Sequence, residues 1–251
     1  MTRISAVTVL VAGLLFAQPA IDVASIKPSD PGINAMGNHY SPDRFTMTGY
    51  AAKTLIESAF RVRDYQVLNA PDWTRSERWT LEVKTTAPTT MQQKDQLLQP
   101  LLVDRFQLKY HRETRTMDVY SLVVAKGGPK LKPAEENARE GTSYGRDGNQ
   151  ITSEKYDIRM VAPYLAGGVL NRPVIDKTGL TGSYNINLKW TPDANRPDFG
   201  DVHNPADLPA PDPNRPEIFT AIKEQLGLEL KSEKGPVEVI VIDHIERPSP
   251  N

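Results

Sequence analysis

A stretch near the C-terminus repeats an earlier one. Shifted back by 120 positions, Ile218–Ile242 (IFTAIKEQLGLELKSEKGPVEVIVI) lies without a gap on Leu98–Leu122 (LQPLLVDRFQLKYHRETRTMDVYSL). Leu98 meets Ile218, Leu102 meets Ile222, Phe106 meets Leu226 and Leu108 meets Leu228. Met117, Val119, Tyr120 and Leu122 then meet Val237, Val239, Ile240 and Ile242, and Glu113 meets Glu233. Any fold of this chain must place one such unit twice. The pattern predicts a helix followed by two strands in each copy. Phe106 to Tyr110 and Met117 to Val124 form the first hairpin. Leu228 to Leu230 and Val237 to Ile242 form the second, with Gly235-Pro236 near its turn.

The 251 residues suffice for one or two domains at roughly 100–200 residues each. Lys+Arg 30 against Asp+Glu 31 gives a net charge of −1, and no electrostatic case for nucleic acid. There is no cysteine, which excludes disulfides, thiol catalysis and thiolate metal sites. Residues 1–20 read as a secretory signal. Arg3 precedes an apolar run, Ile4 to Phe16, that is shorter than the roughly 20 residues of a spanning helix. Ala17-Gln18-Pro19-Ala20 is the processing region. The expectation is a secreted or periplasmic protein with no membrane span once the signal is removed.

Residues 21–133 form the first half, 134–150 a flexible joint and 151–251 the second half. Ile21 to Ile26 and Arg44 to Thr48 alternate as strands. Ala51, Ala52, Leu55, Ile56, Ala59 and Phe60 mark a helix face, with Thr48 as its N-cap. Strands follow at Tyr65–Leu68 and Trp79–Val83. Thr90 and Gln93 fit a capping box for the repeated helix, which Pro100 should kink or split. In the second half, Asp157 caps a helix with Met160, Val161, Tyr164 and Leu165 on one face, disturbed by Pro163 and ended by Gly167-Gly168. Pro173–Ile175 and Tyr184–Trp190 are strands. A proline-rich loop over 191–216 leads to the last helix, with Pro216 in its first turn and Gly227 just past its end. The fold class is α+β with an internal duplication: two similar halves, each a small, mostly antiparallel sheet covered by two helices.

Reactive chemistry finds little support. Gly141-Thr142-Ser143-Tyr144-Gly145 matches G-x-S-x-G but lacks the strand-turn-helix that presents a nucleophile. The four histidines, His39, His111, His203 and His244, are scattered, and no HExxH helix is present. Trp73, Trp79 and Trp190 suit core or rim packing better than a sugar or peptide platform. No phosphate-cradling or dinucleotide glycine motif occurs. Two polar groups stand out as candidate ligand contacts. His111, Arg112 and Glu113 lie in the expected first turn, and Asp176, Lys177 and Thr178 form a dense polar turn after a strand. No catalytic, metal or cofactor residue is assigned, and no cofactor is expected.

Six stretches carry a family resemblance: VASIKPSDPG, APDWTRSERW, LLVDRFQLKYHRETR, VYSLVVAKGGPKLKP, NRPVIDKTGLTGSYNINLKWTPD and LGLELKSEKGPVEVIVIDHIERPS. The chain resembles an exported family of soil bacteria, abundant in acidobacteria and of the Solibacter type, known as a domain of unknown function. The resemblance implies no established activity, cofactor or catalytic residue. Similar domains also occur attached to membrane metallopeptidase sensors. The leading expectation is a binding or interaction module for an unidentified protein, peptide or small molecule. The alternatives are an exported hydrolase, metal-assisted or serine-dependent, and a sensory domain partnering a membrane metallopeptidase.

Overall fold

The computed structural model describes residues 20–33, 35–145, 149–191, 212 and 214–248. Residues 1–19 of the expected signal and most of the proline-rich loop, His203 included, lie outside the described residues.

The first half runs β1 (Ile21–Pro28), β2 (Gly37–Ser41), β3 (Arg44–Ala51), α1 (Ala52–Phe60), β4 (Val67–Leu68), α2 (Trp73–Ser76), β5 (Arg78–Thr85), α3 (Met91–Arg105) and β6 (Lys109–Val124). The second runs β7 (Lys132–Pro133), β8 (Ser143–Tyr144), β9 (Gln150–Asp157), α4 (Val161–Tyr164, continued as a π turn to Val169), β10 (Val174–Asp176), β11 (Ser183–Lys189), α5 (Ile218–Ala221, likewise continued to Leu226) and β12 (Leu228–His244). Among the described residues three four-stranded sheets result, in the orders β1-β5-β3-β2, β10-β6-β12-β4 and β7-β11-β9-β8.

The outer two sheets are antiparallel throughout, and each is covered by two helices. In the first core, Phe45, Met47, Trp79, Leu81 and Val83 meet Leu55, Ile56 and Phe60 of α1 and Leu98, Leu102 and Phe106 around α3. In the second, Ile151, Tyr156, Ile186, Leu188 and Trp190 meet Val161 and Leu165 of α4 and Ile218, Ile222 and Leu226 of α5. The halves share even their irregularity. Thr48 and Gly49 of β3 face the single residue Thr80, and Glu154 and Lys155 of β9 face the single residue Asn185. Each is one extra residue at a matched place, as a β-bulge requires.

The expected hairpins do not form. β6 and β12 are each one long strand, and they pair antiparallel with each other from Leu228–Val124 to Ile242–Tyr110. Gly235-Pro236 passes straight through β12 instead of turning, because β6 supplies the partner that a hairpin's second arm would have been. Thr116 pairs with Pro236, and these residues lie 120 positions apart. An approximate two-fold axis therefore passes between them. The short outer strands obey it. Val67 of β4 pairs parallel with Ile240, and Val174 of β10 pairs parallel with Tyr120, the residue matched to Ile240.

Strand alternation sends the even-numbered residues of both long strands to one face. There, Leu108 and Tyr110 at the start of β6 join the first core, whereas Tyr120 and Leu122 at its end join the second. β12 does the reverse: Leu228 and Leu230 sit in the second core, Ile240 and Ile242 in the first. Each long strand leaves its own core and completes the other. On the opposite face Val119, Val237, Val239 and Val241 make a third, smaller cluster.

Helix boundaries follow partly from local signals. Thr90 Oγ1 accepts from the Gln93 N–H at 3.3 Å and Gln93 Oε1 accepts from the Thr90 N–H at 2.8 Å, the expected box. α3 nevertheless runs unbroken through Pro100, held on both sides by buried Leu98, Leu101 and Leu102. Thr48 lies inside β3, and α1 starts after Ala51 with no side-chain cap. Met160 is 53% exposed, and the α4 turn continues through Gly167 and Gly168. Pro216 falls just before the cap residue Glu217. Gly227 ends the last helix at φ +66°, where a Cβ would stand 2.3 Å from the Gly128 carbonyl oxygen.

Because Ile240 is fully buried in the first core, Ile240→Ala is expected to cost about 2–5 kcal/mol. Hydrogen exchange should place the lost protection in α1 and α3, not in α5, although the substituted strand follows α5 in the chain.

Candidate functional site

The two groups of candidate residues lie toward opposite ends of the β6–β12 ribbon. His111, Arg112 and Glu113 lie near the start of β6, within the strand and not in a turn, opposite Val241, Ile240 and Val239. Asp176 pairs with Leu122, eleven residues further along β6. At about 3.3 Å per residue that is about 36 Å from His111. The structure does not bring the two groups into one cleft.

Each group is engaged locally. His111 Nδ1 lies 2.9 Å from Asp243 Oδ1, and its Nε2 lies 3.8 Å from Glu113 Oε2. The hydrogen bond to Asp243 raises the imidazole pKa, with Glu113 adding to it. Glu113 is also paired with Arg115. On the other face Arg112 pairs with Glu238 and lies over the Phe60 ring at 5.8 Å. At the far end Lys177 pairs with Glu233, which also accepts from Ser121. These contacts hold the Glu233 carboxyl below its ordinary range. Asp176 Oδ1 accepts from the Thr178 N–H at 2.8 Å and its hydroxyl at 2.7 Å, closing the turn.

The groups correspond through the two-fold axis. Glu113 and Glu233 are matched residues, each with a cation beside it. Arg112 and Glu238 match Ser232 and Asp118. In that second place the guanidinium comes from Arg172, which donates to Ser232 Oγ at 3.1 Å and lies 3.9 Å from Asp118 and 4.2 Å from the Tyr120 ring centroid. Lys234 adds a 2.7 Å pair with Asp118, and that lysine holds the Asp118 carboxyl below its usual range.

The remaining sequence candidates stay apart. Ser143 sits in the two-residue β8, opposite Thr152. His39 is in β2, and His244 Nε2 lies 2.8 Å from Glu246 Oε1. Trp79 and Trp190 are buried in different cores, while Trp73 carries Arg247 5.1 Å from its ring centroid. Among the described residues no group of three or more metal-ligating side chains converges.

One charged cluster escaped the sequence reading. Lys53 has a side chain only 3% exposed, and its ammonium donates to the Asp64 carbonyl at 2.9 Å and to the Asp64 carboxylate. Arg75 reaches the same carboxylate at 3.0 Å. One turn after Lys53, half-buried Glu57 has its carboxyl pushed up to about 7, first by burial and then by Asp64, against the pull of Lys53, Arg75 and Arg63. The available signal was a lysine directly between Ala52 and Leu55 on the apolar face of α1. Arg63 in turn lies against Gly167 of α4, where a Cβ would meet the guanidinium at 2.1 Å.

Comparison with known proteins places the chain. The model of a family described as a protein of unknown function, DUF3738, matches residues 53–245, and the chain belongs to that family. No curated protein and no solved structure matches it.

Glu57 titrates near 7 when folded and in the ordinary carboxylate range when unfolded. Between those values the folded state holds the extra proton, so this group's contribution to stability falls as pH rises toward 7. Glu57→Gln removes that loss. The urea midpoint of the variant should exceed the parent's by more at pH 8 than at pH 5.

Proposed function

We propose that this DUF3738 protein is an exported binding or interaction module, working outside the cytoplasm and without reactive machinery of its own. The observation that carries the reading is the arrangement of the ribbon's polar side chains. Glu113 and Glu233 form separate ion pairs at two-fold-related places, and Asp176 on β10 pairs with a β6 residue about 36 Å along that strand from His111. Groups so spaced and so partnered suit contact with an extended surface better than attack on one bond. Export rests on the Arg3 and Ile4–Phe16 pattern and on the resemblance to exported soil-bacterial proteins. No helix among the described residues is long and apolar enough to cross a membrane. A membrane metallopeptidase is one class of partner that the resemblance suggests.

The test is affinity capture with the purified protein, using the extracytoplasmic fraction and membranes of its host, alongside a substrate and metal screen. A stable, saturable partner with no turnover is the expected result. Turnover of a substrate without any stable partner, abolished by His111→Ala or Ser143→Ala, would overturn the reading in favour of a hydrolase.

A further inference from the structure

Among the described residues, the outer edge of β6 is open from Tyr110 to Asp118. The Tyr120 N–H donates to the Pro173 carbonyl at 2.8 Å, and the Lys177 N–H donates to the Leu122 carbonyl at 2.9 Å. Even-numbered residues of β6 therefore turn their backbone groups away from β12, toward β10. β10 covers this edge only at Tyr120–Leu122. From Tyr110 to Asp118 the outward N–H and C=O groups meet no strand and no backbone hydrogen bond among the described residues.

The matched edge of β12 carries a proline. Pro236 stands where β6 has Thr116. A proline on an edge has no N–H to offer and guards against a further strand. β6 carries no proline. Of two edges built on one pattern, one has a proline guard and the other keeps every outward N–H.

We propose that this edge pairs antiparallel with the same edge of a second copy of the chain. The midpoint of the open stretch is Thr114, so a two-fold axis there uses all of it. In that register Glu113 stands opposite Arg115 of the second copy, and Arg115 opposite its Glu113. With the pair each copy already makes, the four side chains form an alternating square of charge. Thr114 faces its own counterpart, Arg112 faces Thr116, and Tyr110 faces Asp118, whose carboxylate can accept from the phenol. Opposite charges and Thr–Thr pairs are the cross-strand neighbours that stabilise antiparallel strands. Five outward residues on each copy would exchange about ten backbone hydrogen bonds. Self-complementarity of the side chains is what selects a second copy over an unrelated extended peptide. The inference is independent of the ligand and would survive failure of the binding reading.

Sedimentation equilibrium on the purified protein tests it with three variants. The parent is expected to show a reversible monomer–dimer equilibrium. Arg115→Glu sets acid against acid at both symmetric places and should weaken the dimer about tenfold or more. Glu113→Arg combined with Arg115→Glu restores opposite charges and should restore the dimer. Thr114→Pro removes the central outward donors without touching the β12 ladder and should leave a folded monomer, with folding checked by circular dichroism. A parent that stays monomeric at its highest soluble concentration overturns the proposal. So does an Arg115→Glu variant that dimerises like the parent, or a double variant that stays monomeric while folded.

Discussion

The pairing of β6 with β12 is the contact on which the rest depends. It runs the length of both strands and centres on Thr116 and Pro236. Each strand starts against the helices of its own half and ends against those of the other. The C-terminal strand thus supplies Ile240 and Ile242 to the first core, and the first half supplies Tyr120 and Leu122 to the second. Neither core is closed by its own half. A pair of separable modules joined by a linker would need no such exchange.

The same crossing explains why the middle of the ribbon is polar. The two cores cover its ends on one face, which leaves Arg112, Thr114, Thr116, Asp118, Lys234, Pro236 and Glu238 outside both. Residues there must satisfy water and each other, and they do so as ion pairs across the strands. Exposed pairs of this kind add little stability, in the range of about 0–1 kcal/mol each. What they offer is a patterned surface beside backbone groups that the short strands β4 and β10 leave uncovered. The pair between buried Lys53 and half-exposed Asp64 is different. It fixes the approach to β4, and its charges tune Glu57.

Much of this was legible in the chain. The 120-residue offset located the matched core positions: Leu102 and Ile222, Phe106 and Leu226, Leu108 and Leu228 are all buried. Thr90 with Gln93 marked the start of α3, and Gly227 the end of α5. The hairpins were misread because turn residues and edge-strand residues are the same residues. His111 to Arg115 is polar because it lies on an uncovered ribbon. Gly235 is a glycine because a Cβ there would come within 2.9 Å of Val119 and Ile175, a close approach and not a turn. For the site, Glu113 and Lys177 stood out as candidate contacts; Arg115, the partner of Glu113, is two residues along the same strand, but Glu233, the partner of Lys177, comes from register, which no local pattern carries. Lys53 shows the converse: a charge on an apolar helix face is visible, but the Asp64 that receives it lies beyond the end of the helix.

A disulfide across the ribbon measures its register directly, because the chain has no cysteine of its own. Asp118 and Lys234 are opposed in the ladder and belong to the even-numbered, non-hydrogen-bonded pairs, where Cα atoms stand about 4.5 Å apart, within disulfide reach. Asp118→Cys combined with Lys234→Cys, oxidised at high dilution, should close an intrachain disulfide in nearly every folded molecule. Free thiols in a folded, oxidised sample would mean that the two long strands do not run against each other, and the exchange of strands between the cores would be wrong.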